Sequence, residues 1–92
     1  MMALMSRPTE LIGRKIAELD EDGVFVFDAA VVGPLLGLAP DVFMEELRKG
    51  IVYQRHERGT GEDSGRSRVT FRYRARQVVI ILDAFGRALD VA

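Results

Sequence analysis

A chain of 92 residues with 48% hydrophobic and 29% charged residues has the size and composition of one globular domain. It contains no cysteine, which excludes disulfides, thiolate metal sites and cysteine nucleophiles. No apolar run approaches the roughly 20 residues of a transmembrane helix, and residues 1–10 lack an export signal, so we expect a cytoplasmic protein with no membrane contact. We expect a flexible tail at residues 1–14 and a single domain at residues 15–92.

Charge is unevenly distributed, although the net charge is only −1. Residues 1–47 carry three basic and nine acidic residues, whereas residues 48–76 carry nine basic and three acidic ones. Such an asymmetry indicates which kinds of partner the protein attracts, through its electrostatic field, and does not indicate the fold. The basic part is therefore expected to meet an acidic protein partner, or the acidic part of its own or a second copy, which would give a homodimer through opposite-charge faces.

The first element is open to two interpretations. Residues 9–19 have apolar positions at helical spacing, but Gly13 weakens a helix interior. Alternatively, residues 15–19 and 24–27 flank a turn rich in aspartate that ends in glycine, which is a hairpin pattern. We favour the hairpin.

Two short helices are predicted next. Asp28 suits the N-cap of a first helix at residues 29–36, which Pro34 is expected to kink. Pro40 suits the first turn of a second helix, which ends before Gly50. The second helix is expected to present three apolar residues to the core: Phe43, Met44 and Leu47.

Strands are predicted for the rest of the chain. Residues 51–57 and 78–82 are rich in β-branched residues, and residues 87–91 suit a short edge strand. Alternation is clearest in residues 68–76, where apolar side chains face one side and arginines the other. This one-sided pattern is typical of an antiparallel sheet.

The predicted fold class is therefore α+β, with an N-terminal β-hairpin, two short helices and an antiparallel meander of three to four strands. The predicted core consists of Val24, Val26, Val31, Leu35, Phe43, Leu47, Tyr53, Val69, Phe71, Ile80 and Leu82.

The loop at residues 58–67 has no apolar side chain and is long for a hairpin connection. Its three glycines and the cations Arg58 and Arg66 would suit an anion, whereas Glu62 and Asp63 would repel one. The simpler interpretation is a solvated hairpin tip.

His56 is the only histidine. A metal site there would have to recruit Glu57, Glu62 or Asp63, and a general base would have only weak serine or threonine nucleophiles nearby. We therefore expect that the protein is not an enzyme and binds no metal or cofactor. His56 is expected to be a strand residue whose side chain forms a hydrogen bond with a neighbour.

The two helices followed by a hairpin also weakly resemble a winged helix-turn-helix, which would bind nucleic acid. However, the second helix presents Asp41, Glu45 and Glu46, which phosphates would repel. We do not favour this alternative.

A set of polar residues resembles a small proteobacterial family of domains of unknown function. The likeness covers about residues 15–90 and rests on the pattern His56-Glu57-Arg58-Gly59-x-Gly61-Glu62-Asp63-x-Gly65-Arg66-x-Arg68-x-Thr70-Phe71, then Asp83-x-x-Gly86-Arg87-x-Leu89. The resemblance implies one compact domain and gives weight to the polar loop, but it implies no activity.

The leading hypothesis is a non-catalytic protein-interaction or accessory module that uses an arginine-lined sheet face and the polar loop. The residues expected to form its binding surface are His56, Arg58, Glu62, Asp63, Arg66, Arg68, Arg72, Arg74 and Arg76.

Overall fold

The computed structural model describes residues 8–92. Strands β1 and β2 form a hairpin, and β3 to β6 form an antiparallel sheet in sequential order, which confirms the predicted α+β class. In chain order the elements are β1 (Ala17–Leu19), β2 (Phe25–Phe27), α1 (Ala29–Leu35), α2 (Pro40–Arg48), β3 (Tyr53–Arg58), β4 (Ser67–Tyr73), β5 (Arg76–Leu82) and β6 (Ala88–Val91), with 3-10 turns at Pro8–Leu11 and Gly61–Asp63.

The first hairpin is held by its aspartate turn. Asp20 Oδ1 accepts hydrogen bonds of 2.9 Å from the backbone N–H groups of Asp22 and Val24, and the Asp20 carbonyl accepts one of 3.0 Å from Gly23. Local bonds of this kind fix a tight reversal. The hairpin interpretation of this region is therefore correct, and helical geometry in the 9–19 region is limited to the turn at Pro8–Leu11.

The two helices begin where the sequence indicates. Asp28 caps α1, because its Oδ1 accepts from the backbone N–H of Ala30 at 3.0 Å, and Pro40 occupies the first turn of α2. Phe43 of α2 is fully buried, whereas Met44 is 48% exposed, so the prediction that Met44 faces the core is wrong. Among residues 8–92, no helix is long and apolar enough to cross a membrane.

The four-stranded sheet has two different faces. The inner face is covered by the hairpin and the helices: Phe71 meets Phe27 edge-on at 5.0 Å between ring centroids and Phe43 at 5.7 Å. The strand register places His56, Val69 and Ile80 in one inner row. The outer face has no element over it in the part of the chain that the structure describes.

The prediction that Val24, Val26 and Tyr53 lie in the core is wrong, since they are 51%, 53% and 42% exposed. In β2 the phenylalanines rather than the valines face the core. Burying Phe25 and Phe27 removes more apolar area from water than burying two valines would. The buried core consists of Leu11, Ile16, Ala17, Phe25, Val31, Val32, Leu36, Phe43, Val52, Val69, Phe71, Val78, Ile80, Leu82 and Ala88, with Leu35 and Leu47 partly buried against it.

Residues 11–14 pack against the sheet, although they fall within the segment predicted to be a tail. Leu11 is 1% exposed, and Gly13 N–H donates to the Ala88 carbonyl at 2.7 Å. The Ala88 N–H donates in return to the Arg14 carbonyl at 2.9 Å, so this segment covers the β6 edge of the sheet. Residues 1–7 of the predicted tail lie outside the described residues.

Candidate functional site

The outer face of the sheet forms an open polar surface. Alternation along β3, β4 and β5 brings together side chains that are separated in sequence. We call this surface the outer face, and its residues are Tyr53, Arg55, Glu57, Arg68, Thr70, Arg72, Gln77 and Val79.

Three arginines and one glutamate set the charge of the outer face. Glu57 lies between two of them, with Oε2 3.7 Å from Arg55 Nη2 and Oε1 3.8 Å from Arg68 Nε. Both arginine side chains are more than half exposed, so each pair contributes only about 0.2–1 kcal/mol. The face therefore keeps a positive excess that is available to an acidic partner.

The third arginine is held by an aromatic ring. The Arg72 guanidinium carbon lies 5.0 Å from the centroid of Tyr53, and the two residues are register partners on β4 and β3. A cation–π contact at an exposed site contributes about 0.5–1 kcal/mol. The contact orders the cation while its outer side stays open to water.

Arg74 and Arg76 do not share this face, contrary to the predicted strand at residues 68–76. Strand β4 ends at Tyr73, and Arg74 has a positive φ of 57° in the turn to β5, with its guanidinium over the Tyr73 ring. Arg76 lies on the inner face, opposite Tyr73, and packs over Gly37 at the end of α1. The change of direction at residues 74 and 75 reverses the alternation, which separates these two arginines from Arg68.

Strand β3 is the open edge of the sheet. Antiparallel pairing alternates, and Gly59 N–H donates to the Arg66 carbonyl at 2.9 Å next to the strand. The backbone groups of Gln54, His56 and Arg58 therefore point away from β4, and among residues 8–92 no other strand pairs with this side. The opposite edge, β6, is covered as described above.

An apolar groove lies beside the open edge, on the inner side of the sheet. It has a volume of about 180 Å³ and runs between the hairpin, α2 and Gln54. Val26 and Met44 are each about half exposed at this position. The groove residues are Phe25, Val26, Phe27, Phe43, Met44, Leu47 and Gln54.

A separate cleft lies between the hairpin and the far end of β3 and β4. His56 and Arg58 line it from the inner face, and Arg58 also lines a neighbouring groove with Arg68. We call it the hairpin cleft; its residues are Leu19, Gly23, Phe25, His56, Arg58, Gly65, Arg66, Ser67 and Ala84.

The polar loop is folded rather than extended. Residues 61–63 form a 3-10 turn, and the Asp63 carbonyl accepts a 3.0 Å bond from the Arg66 N–H. Neither Glu62 nor Asp63 lines the hairpin cleft. Asp63 lines an adjacent groove, together with Glu57 and Arg68, and Arg58 and Arg66 line both the groove and the cleft.

His56 has an aromatic neighbour. Its ring centroid lies 5.6 Å from that of Phe25, and its side chain and that of Glu57 are on opposite faces of β3. Among the described residues, no group of three or more His, Asp or Glu side chains is placed to hold a metal ion.

A model for a family of unknown function, DUF6522, matches residues 14–92. The chain belongs to the DUF6522 family. No curated protein and no solved structure matches the chain. The resemblance to a family of unknown function is thereby confirmed.

In this DUF6522 domain, Tyr53 and Arg55 lie on the outer face but are absent from the predicted binding surface. Strict alternation along residues 53–57 places Tyr53, Arg55 and Glu57 on one side, so the sequence does carry this signal. The predicted core instead includes Tyr53, which is 42% exposed. Predicting that β3 is an open edge requires the strand order of the sheet, which no local sequence pattern gives.

Proposed function

We propose that this domain is a protein-interaction module that binds an extended acidic segment of a partner along the open edge β3. The observation that carries the proposal is the position of Arg55, Arg68 and Arg72 beside an edge with which no other strand pairs among residues 8–92. Adding a strand to a sheet edge is a recurring mode of peptide recognition.

The surfaces on the two sides of the edge indicate which residues such a segment should contain. Side chains of an added strand alternate, so one set would face the arginines of the outer face and the other the apolar groove at Val26 and Met44. The ligand class is therefore a strand in which acidic and apolar residues alternate. An acidic block without alternation would use only one of these surfaces.

The expected affinity is modest. Three exposed charge pairs of about 0.2–1 kcal/mol each, with the backbone bonds of one short strand, suit a reversible interaction in the micromolar range. Screening by salt weakens exposed pairs, so binding is expected to fall as ionic strength rises.

Single-stranded nucleic acid is the second candidate, and the exposure of Tyr53 favours it. A basic sheet face with an exposed aromatic ring can stack bases. The acidic balance of the whole chain, with a net charge of −1 and a pI of about 5.8, favours the protein partner, since nucleic-acid-binding domains are commonly strongly basic.

The test is fluorescence anisotropy with a labelled ten-residue peptide of alternating Glu and Val. We expect saturable binding that weakens about tenfold when Arg55, Arg68 and Arg72 are changed together to Gln. The matched control is Arg48→Gln on α2, which removes a cation from the layer that covers the inner face and should change the Kd less than twofold.

Three further ligands complete this experiment. A peptide of the same composition with Glu and Val in separate blocks, and one N-methylated at alternate amides, should both bind much more weakly. A labelled oligothymidylate that binds more tightly than the peptide would replace the proposal with the nucleic-acid alternative. A mass that doubles with concentration in light scattering, with no peptide binding, would identify the acidic segment as part of a second copy.

A further inference from the structure

We propose that the hairpin cleft is a binding site for a small organic anion, a carboxylate or a phosphate monoester that carries a compact apolar group. The site lies on the opposite side of β3 from the outer face and does not depend on the proposed function. Its residues come from three parts of the chain, namely the hairpin, the inner ends of β3 and β4, and the turn after β5.

The charge of the cleft has one sign. Arg58, Arg66 and His56 line it together with the Ser67 hydroxyl, and none of the lining residues is acidic. Neither arginine forms an ion pair with any carboxylate among residues 8–92. Two guanidinium groups without a carboxylate partner suit planar oxyanions, which arginine binds through paired N–H groups.

Arg58 contacts the turn of the first hairpin. Its Nη2 lies 3.5 Å from the Gly23 carbonyl, a contact that joins β3 to the turn of the first hairpin. This contact occupies one of five guanidinium N–H groups, so the others are available to a ligand. The hairpin thereby orients the cation toward the cleft rather than neutralising it.

The remaining wall of the cleft is apolar. Leu19, Phe25 and Ala84 line it, and the Phe25 ring is 7% exposed beside the imidazole of His56. An apolar wall next to paired cations favours a ligand with one charged end and one hydrophobic end. Inorganic phosphate would satisfy the cations alone and leave Leu19 and Phe25 in contact with water.

The size of the cleft limits the ligand. Its volume is about 240 Å³, below the range of roughly 300–1,000 Å³ that holds drug-sized molecules. A single ring or a short aliphatic chain with one anionic group is of the appropriate size. The acidic turn Gly61–Asp63 is not part of the lining, and Asp63 lies in the adjacent groove that shares Arg58 and Arg66 with the cleft.

The experiment is an NMR titration of the whole ¹⁵N-labelled chain with four probes: phenyl phosphate, benzoate, inorganic phosphate and benzyl alcohol. We expect saturable shifts at the amides of Gly23, His56, Gly65 and Ser67 with one or both aromatic anions. Comparing phenyl phosphate with benzoate shows whether the site prefers a phosphate monoester or a carboxylate. Inorganic phosphate and the neutral alcohol should each bind at least tenfold more weakly.

Variants assign the binding to the cleft. Arg66→Gln, which leaves the contact between Arg58 and Gly23 in place, and Arg58→Gln should each weaken the aromatic anion at least tenfold. Arg72→Gln on the outer face is the matched control and should change the Kd less than twofold. Shifts confined to the outer face, equal binding of benzyl alcohol, equal binding of inorganic phosphate, or no effect of Arg66→Gln would each overturn the proposal.

Discussion

The guanidinium carbon of Arg72 lies 5.0 Å from the centroid of the Tyr53 ring, across the first two strands of the sheet. The pair joins the most exposed strand to its neighbour on the side that faces water. It places an aromatic ring within a set of cations, and this combination of charge and apolar area is what the proposed interaction uses.

Tyr53 should matter little for stability because it lies on the outer face. We expect Tyr53→Ala to lower the free energy of unfolding by no more than about 1 kcal/mol, the value of an exposed cation–π contact. Phe71→Ala, on the inner face where this side chain is fully buried, should lower it by about 3–5 kcal/mol. Urea denaturation measures both, and similar losses for the two variants would contradict the assigned faces.

Leu11 should contribute to the core although it precedes the predicted domain. Leu11→Ala is expected to lower the free energy of unfolding by about 2–5 kcal/mol, since the side chain is 1% exposed. Ile12→Ala, at a neighbouring site that is 49% exposed, is the matched control and should cost no more than about 0.5 kcal/mol. Equal effects would mean that this segment does not pack on the sheet.

Gly86 should tolerate no side chain. Its φ is +86°, and a Cβ there would overlap sterically with the Ala17 carbonyl group, which must then move. The Gly86 carbonyl also accepts from the Ile16 N–H at 2.9 Å, so movement would break the junction between hairpin and sheet. We expect Gly86→Ala to lower the free energy of unfolding by at least about 3 kcal/mol.

Gly50 provides the control for this substitution. It has a similar φ of +79°, but a Cβ there would meet no atom within 4 Å. Gly50→Ala should therefore lower the free energy of unfolding only by the backbone strain of a positive φ, about 1–2 kcal/mol. Thermal denaturation of the two variants side by side measures the difference, and a Gly86 variant as stable as the Gly50 variant would contradict the close approach.

Asp83 should make stability depend on pH in the acid range. The backbone N–H groups of Arg87 and Phe85 donate to its Oδ1 at 2.9 and 2.8 Å, and this holds the pKa of the carboxyl below its ordinary value. A lowered pKa in the folded state stabilises the fold above the unfolded pKa of about 3.9. That contribution is lost as the pH falls through the lower, folded value.

The measurement is thermal denaturation of the wild type and of Asp83→Asn between pH 2 and pH 7. The wild type should have the higher Tm at pH 7, and the difference should shrink as the pH falls below about 4. A difference between the two proteins that is constant over this range would show that the charge of Asp83 is not involved.

Local patterns predicted the order of the elements, whereas the faces of two strands depended on packing. Asp20, Asp28 and Pro40 are turn, cap and first-turn residues whose effect is local, so the hairpin and both helices could be located from sequence. The run Val24–Val26 with its phenylalanines permits either alternation, and only contact with Phe71 and His56 decides it.

The candidate site was predictable in composition but not in arrangement. The arginines were identified from the sequence, but the turn at Arg74 divides them among the outer face, the turn itself and the end of α1. The absence of Glu62 and Asp63 from the lining of the hairpin cleft likewise follows from the folded loop, in which residues 61–63 form a 3-10 turn. The spacing of these residues along the chain does not indicate which of them share a surface in the folded domain.

The most direct test of strand addition at β3 is amide hydrogen exchange, measured by NMR with and without the alternating Glu/Val peptide. The N–H groups of Gln54, His56 and Arg58 point away from β4, so saturating peptide should slow their exchange at least tenfold. The amides of Arg55 and Glu57, already bonded to β4, should change much less. Unchanged exchange at all three edge amides despite peptide binding, or protection confined to α1 and α2, would contradict the proposed interaction.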